Sequence, residues 1–281
     1  MRVETGWREQ HRSTGLMWCL SAVVILLCLG PLIWQVVTSI KPDVDIVRLP
    51  PFFPSQITGA HYDRVLLRSP LLQSLVNSAI VATSATILSI VFGSFCAFAL
   101  ARLPIGGKSV ILGLVLATSM FPPIAVMSPL YLFMRELGLR DTLVALILTH
   151  TVYALPLAVW LLTNFMRQLP KELYYAARID GCTPLRALLS VMLPLARPAL
   201  AVTALLVFIY SWNEFMFALT LTASDATRTA PVTLALFPGL YEIPWGDLAA
   251  ASLIVTMPVA ALAMIFCRHI VGGLTAGSVK G

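Results

Sequence analysis

Six long apolar blocks without an internal lysine or arginine run along the chain, at about residues 17–40, 75–101, 109–134, 143–166, 199–222 and 248–267. A helix needs about 20 apolar residues to cross the ~30 Å hydrocarbon core of a bilayer, so each block is long enough for one crossing. Barrel strands alternate lipid-facing and lumen-facing residues in pieces of roughly ten. The run from Leu143 to Leu162 is longer and does not alternate. The pattern predicts an all-α polytopic membrane protein of six transmembrane helices. Arg2, Arg8 and Arg12 precede the first block as in a secretory peptide, but that block is longer than a typical signal core. It ends in Ser39-Ile40-Lys41-Pro42 rather than in small residues, so an uncleaved first span is expected.

Composition agrees: 58% of the 281 residues are hydrophobic and 11% charged, where soluble domains carry about 25% charged residues. The net charge of +6 is explained by topology. With the N-terminus cytoplasmic, Lys41, Arg48, Arg64, Arg68, Arg135, Arg140 and Arg228 fall outside and the other basic residues of the 19 fall inside, which is the asymmetry that orients membrane proteins. Both termini are then cytoplasmic. The expected organisation is a cytoplasmic segment 1–16, a six-helix membrane domain 17–270 and a cytoplasmic tail 271–281. Nucleic acid is excluded as a partner, because the basic residues are spread along membrane-flanking loops instead of being clustered on one soluble face. The five cysteines show no CxxC spacing, and Cys267 with His269 cannot by themselves hold a metal, so neither a metal nor a disulfide framework is expected.

Three features interrupt the pattern. Residues 41–74 are proline-rich and read either as a linker or as a small extracytoplasmic partner surface. The third block holds Pro122, Pro123 and Pro129, each lacking an amide donor. A helix broken at membrane depth is tolerated where it is buried in protein or lines a cavity, so this is either a pathway or an ordinary kink. The third is the cytoplasmic connection 167–198, much the longest on its side.

That connection predicts a short helix, a tight turn and an amphipathic helix. Pro170 suits a first helical turn, and Leu173, Ala176, Ala177 and Asp180 fall on one face. Gly181 is a natural helix stop, Thr183 an N-cap and Pro184 a first helical residue. Leu185, Leu188, Leu189 and Met192 form the apolar stripe of the second helix, which Pro194 and Pro198 end. The small alanines beside a leucine make a shallow face, which either docks into a groove on another protein or simply lies on the membrane.

The run Ala176-Ala177-Arg178-Ile179-Asp180-Gly181, with Leu193-Pro194 and Pro198 following, resembles the EAA loop of binding-protein-dependent ABC importer permeases. Thr38-Ser39-Ile40-Lys41-Pro42, Asn77-Ser78, Ala99-Leu100-Ala101-Arg102, Gly107-Lys108, Trp212-Asn213-Glu214 and the tail from Gly273 to Gly281 extend the likeness to the sugar-importer branch, and there to the second permease subunit of maltose- and trehalose-type systems. The resemblance implies a six-helix MetI-like fold in a bacterial inner membrane. It implies a coupling helix with Glu172, Leu173, Tyr175, Ala176, Ala177, Asp180 and Gly181 at the ATPase, and a tail reaching the ATPases through Ser278, Lys280 and Gly281. The implied partners are a second permease subunit as heterodimer, two ATP-binding cassette subunits, an extracytoplasmic sugar-binding protein and membrane lipid. ATP and Mg are then used by the partner ATPases, with no cofactor bound by this chain. Tyr175 stands where the family usually has glutamate; Glu172 lies one helical turn earlier and is positioned to supply that charge.

Other chemistries fit poorly. Gly106-Gly107-Lys108-Ser109 looks like the end of a P-loop, but Arg102 occupies the place of the first glycine that a phosphate cradle needs. Neither H-E-x-x-H nor G-x-S-x-G occurs, and Glu214 is the single acid within a span, which argues against an intramembrane enzyme. An ion-coupled secondary transporter would need more ionisable groups at midplane. Glu214 lies 16 residues beyond Pro198, about 24 Å along a helix, so it is either a group at the outer mouth or a carboxylate paired with a neighbouring helix. His150, with Tyr153, and Asn213 beside Glu214 complete the candidate substrate-pathway set. His150 reads either as a helix-packing residue or as a sugar contact.

Overall fold

The structure is a computed structural model that describes residues 4–47, 52–237 and 243–275, with side chains described for 17–18, 20–46, 52–237 and 243–266. The tail residues Ser278, Lys280 and Gly281 lie outside the described residues. Helices joined by turns and short irregular segments make up what is described, with no strand among those residues. The chain divides into two compact units, residues 1–69 with 237–254, and residues 70–236 with 255–281.

The first unit contains α1 (Glu4–Ser39), α2 (Asp43–Val47), α3 (Ala60–Arg68) and the start of a long helix, α14 (Trp245–Thr275). From Leu20 to Leu29 the side chains of α1 are exposed all round, as suits a helix turned toward lipid or another chain. Its C-terminal end is tied by a polar knot. The buried His61 ring donates from Nε2 to the Lys41 carbonyl (2.7 Å), and its Nδ1 lies 2.6 Å from Asp247 Oδ1. Arg64 Nε donates to both Asp247 oxygens (2.9 and 3.0 Å), and Arg64 Nη2 reaches Asp43 at 3.2 Å. Ser39 Oγ bonds Tyr62 Oη at 2.8 Å, and the Lys41 ammonium lies 4.7 Å from the Trp34 ring centre, a cation–π contact.

The second unit is built on α4 (Leu71–Arg102) and α7 (Leu143–Gln168), with α11 (Arg197–Trp212) packed on both. Small residues allow the close approach. Ala85, Ser89, Gly93 and Ala97 recur every four residues on α4 and are all buried, and Ala154 and Ala158 face them on α7. A Cβ at Gly93 would stand 3.1 Å from the Ala158 methyl, so the helices touch nearly backbone to backbone there. At the N-terminal end of α4, Asn77 Nδ2 donates to the carbonyls of Ala226 and Arg228 (2.9 Å each). Ser78 Oγ accepts from the Ala230 amide (2.8 Å), fixing α13 (Ala230–Ala235).

Among the described residues, four helical stretches are long and apolar enough to cross a bilayer: Leu20–Ser39, Leu71–Arg102, Leu143–Gln168 and Trp245–Phe266; counting each of two bent pairs as one span gives up to six. The third expected span is the first bent pair. α5 (Lys108–Thr118) and α6 (Pro123–Glu136) meet at 84°. Pro122 is extended (ψ 129°), and a residue before proline is pushed out of the helical region, so the Pro122-Pro123 pair breaks the chain as its sequence predicts.

The expected fifth span differs from what is observed. Helix α11 stops at Trp212, and the chain restarts as α12 (Met216–Leu221), leaving Asn213, Glu214 and Phe215 outside helix. The second bent pair joins α11 at 82° to the helical segment Pro184–Leu195, with Pro198 in the first turn after the bend.

The turn between α6 and α7 is held by one carboxylate. Asp141 has a positive φ of 58°, and its Oδ1 accepts from the amides of Ala223 (2.8 Å) and Ser224 (3.1 Å) and from the Thr227 hydroxyl, while its own amide donates to the Leu221 carbonyl (2.9 Å). Burial alone pushes this carboxyl up, but the bonds donated by Thr227, Ala223 and Ser224 outweigh it and hold the group well below the usual carboxylate range. A depressed folded-state pKa means that the contribution is complete above the ordinary aspartate value, about 3.9, and is lost as the pH falls below it. Asp141→Asn should therefore lower the melting temperature of the detergent-solubilised protein at pH 7, and the gap to wild type should close as the medium is taken down through pH 4 toward 2. A gap that does not depend on pH would show that the carboxylate charge is not what holds the turn.

Candidate functional site

The connection 167–198 folds as two helices whose caps are all local. α8 (Lys171–Ile179) ends in a Schellman motif: the Cys182 amide donates to the Ala177 carbonyl (2.9 Å), the Gly181 amide to Arg178 (3.2 Å), and Gly181 takes φ +82°. Arg178 Nη1 closes the turn on the Cys182 carbonyl (2.8 Å). Thr183 Oγ1 then accepts from the Arg186 amide (3.2 Å), with Pro184 opening α9 (Pro184–Ala187).

A π turn, Leu188–Met192, and α10 (Leu193–Leu195) continue the second helix, and the π turn moves its buried face. Ala187, Leu188 and Met192 are buried, whereas Leu185 and Leu189, expected on the same stripe, are more than half exposed. A π turn adds a residue to the repeat, so the side chains on its two sides no longer follow one 3.6-residue stripe.

The inner face of the loop is continuous with the bundle. Tyr174 and Ala177 of α8, with Ala187, Leu188 and Met192, share one core cluster with Ala97 and Phe98 of α4 and Leu162 and Met166 of α7. Tyr174 packs edge-on to Phe98 at 5.7 Å. At the root, Arg102 is buried and its Nη2 donates to the carbonyls of Met166 and Leu169, both at 2.6 Å, satisfying acceptors that the end of α7 leaves open.

The outer face is bare. Of the seven residues expected to couple, Glu172, Leu173, Tyr175, Ala176, Asp180 and Gly181 are exposed, and Ala177 is turned into the core. Ile179 is 85% exposed at the tip, beside exposed Tyr175 and Leu185. Apolar side chains held in the open on a rigid base form a surface shaped for contact rather than for solvent.

The pathway candidates gather around the break after α11. Glu214 accepts from the amides of Phe217 (2.8 Å) and Ala218 (3.0 Å), capping α12 with one carboxylate. Its Oε2 lies 3.2 Å from His150 Nε2, while His150 Nδ1 is 2.7 Å from Ser211 Oγ; the His150 side chain is fully buried. Tyr153 packs on Phe217, ring centres 4.4 Å apart, and Asn213 is exposed with its amide turned back to the Ile209 carbonyl (2.8 Å). The structure thus brings His150, Tyr153 and Glu214 together as a buried brace for α12 and leaves Asn213 at the surface. Sequence reasoning missed Ser211 and Asp141, and had Arg102 only as the end of the run Ala99–Arg102, without a role. Asp141 alone carried a local signal, an acid between Gly138 and the N-cap Thr142.

Residues 89–275 match the family described as the binding-protein-dependent transport system inner membrane component. The chain is 41% identical over 265 residues to the trehalose transport system permease protein SugB of Mycobacterium tuberculosis, covering 93% of this chain and 96% of that one. It is 41% identical over 263 residues to the trehalose/maltose transport system permease protein MalG of Thermococcus litoralis, covering 92% and 94%. Among solved structures, a chain of a bacterial ABC transporter that imports the acidic polysaccharide alginate superposes with a TM-score of 0.80 at 24% identity, over 93% of this chain and 97% of that one.

Proposed function

We infer, from the fact that this chain belongs to the family of binding-protein-dependent transport system inner membrane components, that it is the permease subunit of an ATP-driven sugar importer. The substrate class rests on its relatives named for trehalose and maltose, and the mode of coupling rests on the loop. The observation that carries the reading is the two-faced connection 167–198, whose inner face is part of the α4–α7 core while its outer face stays exposed.

In this reading both termini and the loop are cytoplasmic, and the chain pairs with a second permease subunit, two ATPase subunits and an extracytoplasmic sugar-binding protein. Glu172, Leu173, Tyr175, Ala176, Asp180 and Gly181 meet the ATPase, and Ser278, Lys280 and Gly281 of the tail reach the same pair. ATP and Mg are used on the partners. Closure of the ATPases draws the loop with them, and because Tyr174, Ala177 and Leu188 are packed among Phe98, Leu162 and Met166, the displacement reaches the bundle without an intervening hinge. The two orientations of the bundle differ in free energy only if the ATPases grip the loop differently in each, which an ATP-dependent dimer provides.

The test is uptake of labelled trehalose and maltose by proteoliposomes holding the assembled transporter. Uptake that requires ATP and the binding protein supports the reading; uptake that persists without ATP and collapses with the ion gradient would mean a secondary transporter. Arg102→Met keeps the apolar stem of the side chain but removes the guanidinium and with it both bonds to the loop root. Two lost charge-assisted bonds correspond to about 3 kcal/mol locally, so the variant should hydrolyse ATP with fewer sugars moved per ATP. An unchanged ratio would remove Arg102 from the transmission.

A further inference from the structure

The two broken helices of the second unit meet, and their far halves form a groove. Helices α6 and α12 pack through Leu130 and Tyr131 against Phe217, Ala218 and Leu221, and the Thr220 hydroxyl reaches Met127 Sδ at 2.8 Å. Along the seam runs an open groove of about 540 Å³, lined by Ile124, Met127, Ser128, Tyr131 and Leu132 of α6 and by Thr220 of α12. That volume lies within the ~300–1,000 Å³ of small-molecule sites.

Its chemistry is selective. The three polar side chains among the lining are hydroxyls, those of Ser128, Tyr131 and Thr220, and the remaining three are apolar. Among the described residues no Asp, Glu, Lys, Arg or His lines it, and the nearby Arg140 guanidinium is turned onto the Tyr131 ring, so the wall itself offers hydroxyls rather than a counter-charge. A sugar offers the complement: hydroxyl rims that exchange hydrogen bonds with side-chain hydroxyls, and an apolar C–H face that packs on an aromatic ring or on Ile124 and Leu132. The Arg140 guanidinium lies 5.4 Å from the Tyr131 ring centre and holds the ring in place.

The breaks add an independent reason. Non-helical backbone inside a bilayer persists where it is buried in protein or lines a water-filled cavity, and discontinuous helices recur at transport sites. Each helix beside the groove follows such a break, at Ser119–Pro122 before α6 and at Asn213–Phe215 before α12, and Met120, Phe121 and Asn213 are exposed there rather than packed. The brace of His150, Ser211 and Glu214 fixes α12 behind the groove, so those residues act as positioning residues.

We propose that the groove between α6 and α12 is a transit subsite for a neutral sugar, with Ser128, Tyr131 and Thr220 as its recognition groups. It rests on the sugar-permease reading, and the test separates the two. In the reconstituted full transporter, Ser128→Trp fills an exposed position and should lose most uptake of trehalose and maltose, while the partner subunits still co-purify with it in the wild-type amount. Should tryptophan disturb assembly, Ser128→Cys decides, in an active background with Cys19, Cys28, Cys96, Cys182 and Cys267 replaced by alanine. A bulky thiol reagent should block uptake, a methyl-sized one should not, and sugar in transit should slow labelling. Intact uptake in both Ser128→Trp and the bulk-labelled Ser128→Cys, in a transporter whose wild type is active, overturns the groove alone. A wild type that moves neither sugar with ATP overturns the sugar reading and the groove with it.

Discussion

Tryptophan in place of Gly181 should abolish ATP-linked sugar uptake in the assembled transporter while the chain itself still folds. Gly181 sits at φ +82°, where a side chain costs about 1–2 kcal/mol of backbone strain, yet a Cβ built there finds nothing within 4 Å. The fold has room for the substitution, so the loss must arise where the chain meets another protein. The residue stands two positions from the 85% exposed Ile179 and at the mouth of the Schellman turn, in the middle of the bare outer face. If the ATPase docks on this face as proposed, an indole there would hold it away from Leu173, Tyr175 and Ala176. Gly181→Asn is the matched control, since asparagine tolerates the left-handed region, and it should retain most uptake. Co-purification of the ATPase with each variant is the direct measurement. Full uptake by Gly181→Trp would show that the loop tip docks nowhere.

The parts of this molecule readable from sequence are those set by neighbours in the chain. Gly181, Thr183 and Pro184 each act on the nearest few peptide groups and perform in the structure as their types predict, whereas Pro170 stands just outside α8 as its N-cap (ψ 134°) rather than in its first turn. Pro122 and Pro123 break the third span for the same reason. The break at Asn213–Phe215 is different, because no proline or glycine marks it. It is held by Glu214, which caps α12, and by His150, more than 60 residues distant in sequence, so only the packed structure displays it. The stripe on the second loop helix misled through the π turn, and Ala177 through its alanine neighbour: either of the pair could have faced the core, and the contact with α4 and α7 decided which. Sequence marked the loop as a candidate, therefore, but could not separate its exposed face from its anchored one.

Gly246→Ala should be among the most damaging single-methyl changes available to this chain, although it lies far in sequence from the loop. Gly246 lies flat beneath the His61 imidazole in the first turn of α14, and a Cβ placed there falls inside van der Waals contact of the ring atoms Cε1, Nε2 and Nδ1. His61 is 1% exposed and cannot swing aside without giving up Nε2–H to Lys41 O and the approach of Nδ1 to Asp247. Overpacking of a filled interior costs about 1–3 kcal/mol, and a buried polar group left unsatisfied costs about 1–3 kcal/mol more. A combined loss of about 3 kcal/mol is a large part of the stability of a typical domain. The expected result is a steep fall in the amount of intact protein recovered from membranes and in its melting temperature. His61→Ala removes the ring and with it the obstruction, at the lesser cost of the knot's hydrogen bonds. In the double variant Gly246→Ala/His61→Ala, the glycine substitution should then add almost nothing to the effect of His61→Ala. Residues in contact give such non-additive cycles, whereas independent ones sum. Additive losses would mean that Gly246 is needed for some reason other than the space occupied by the imidazole.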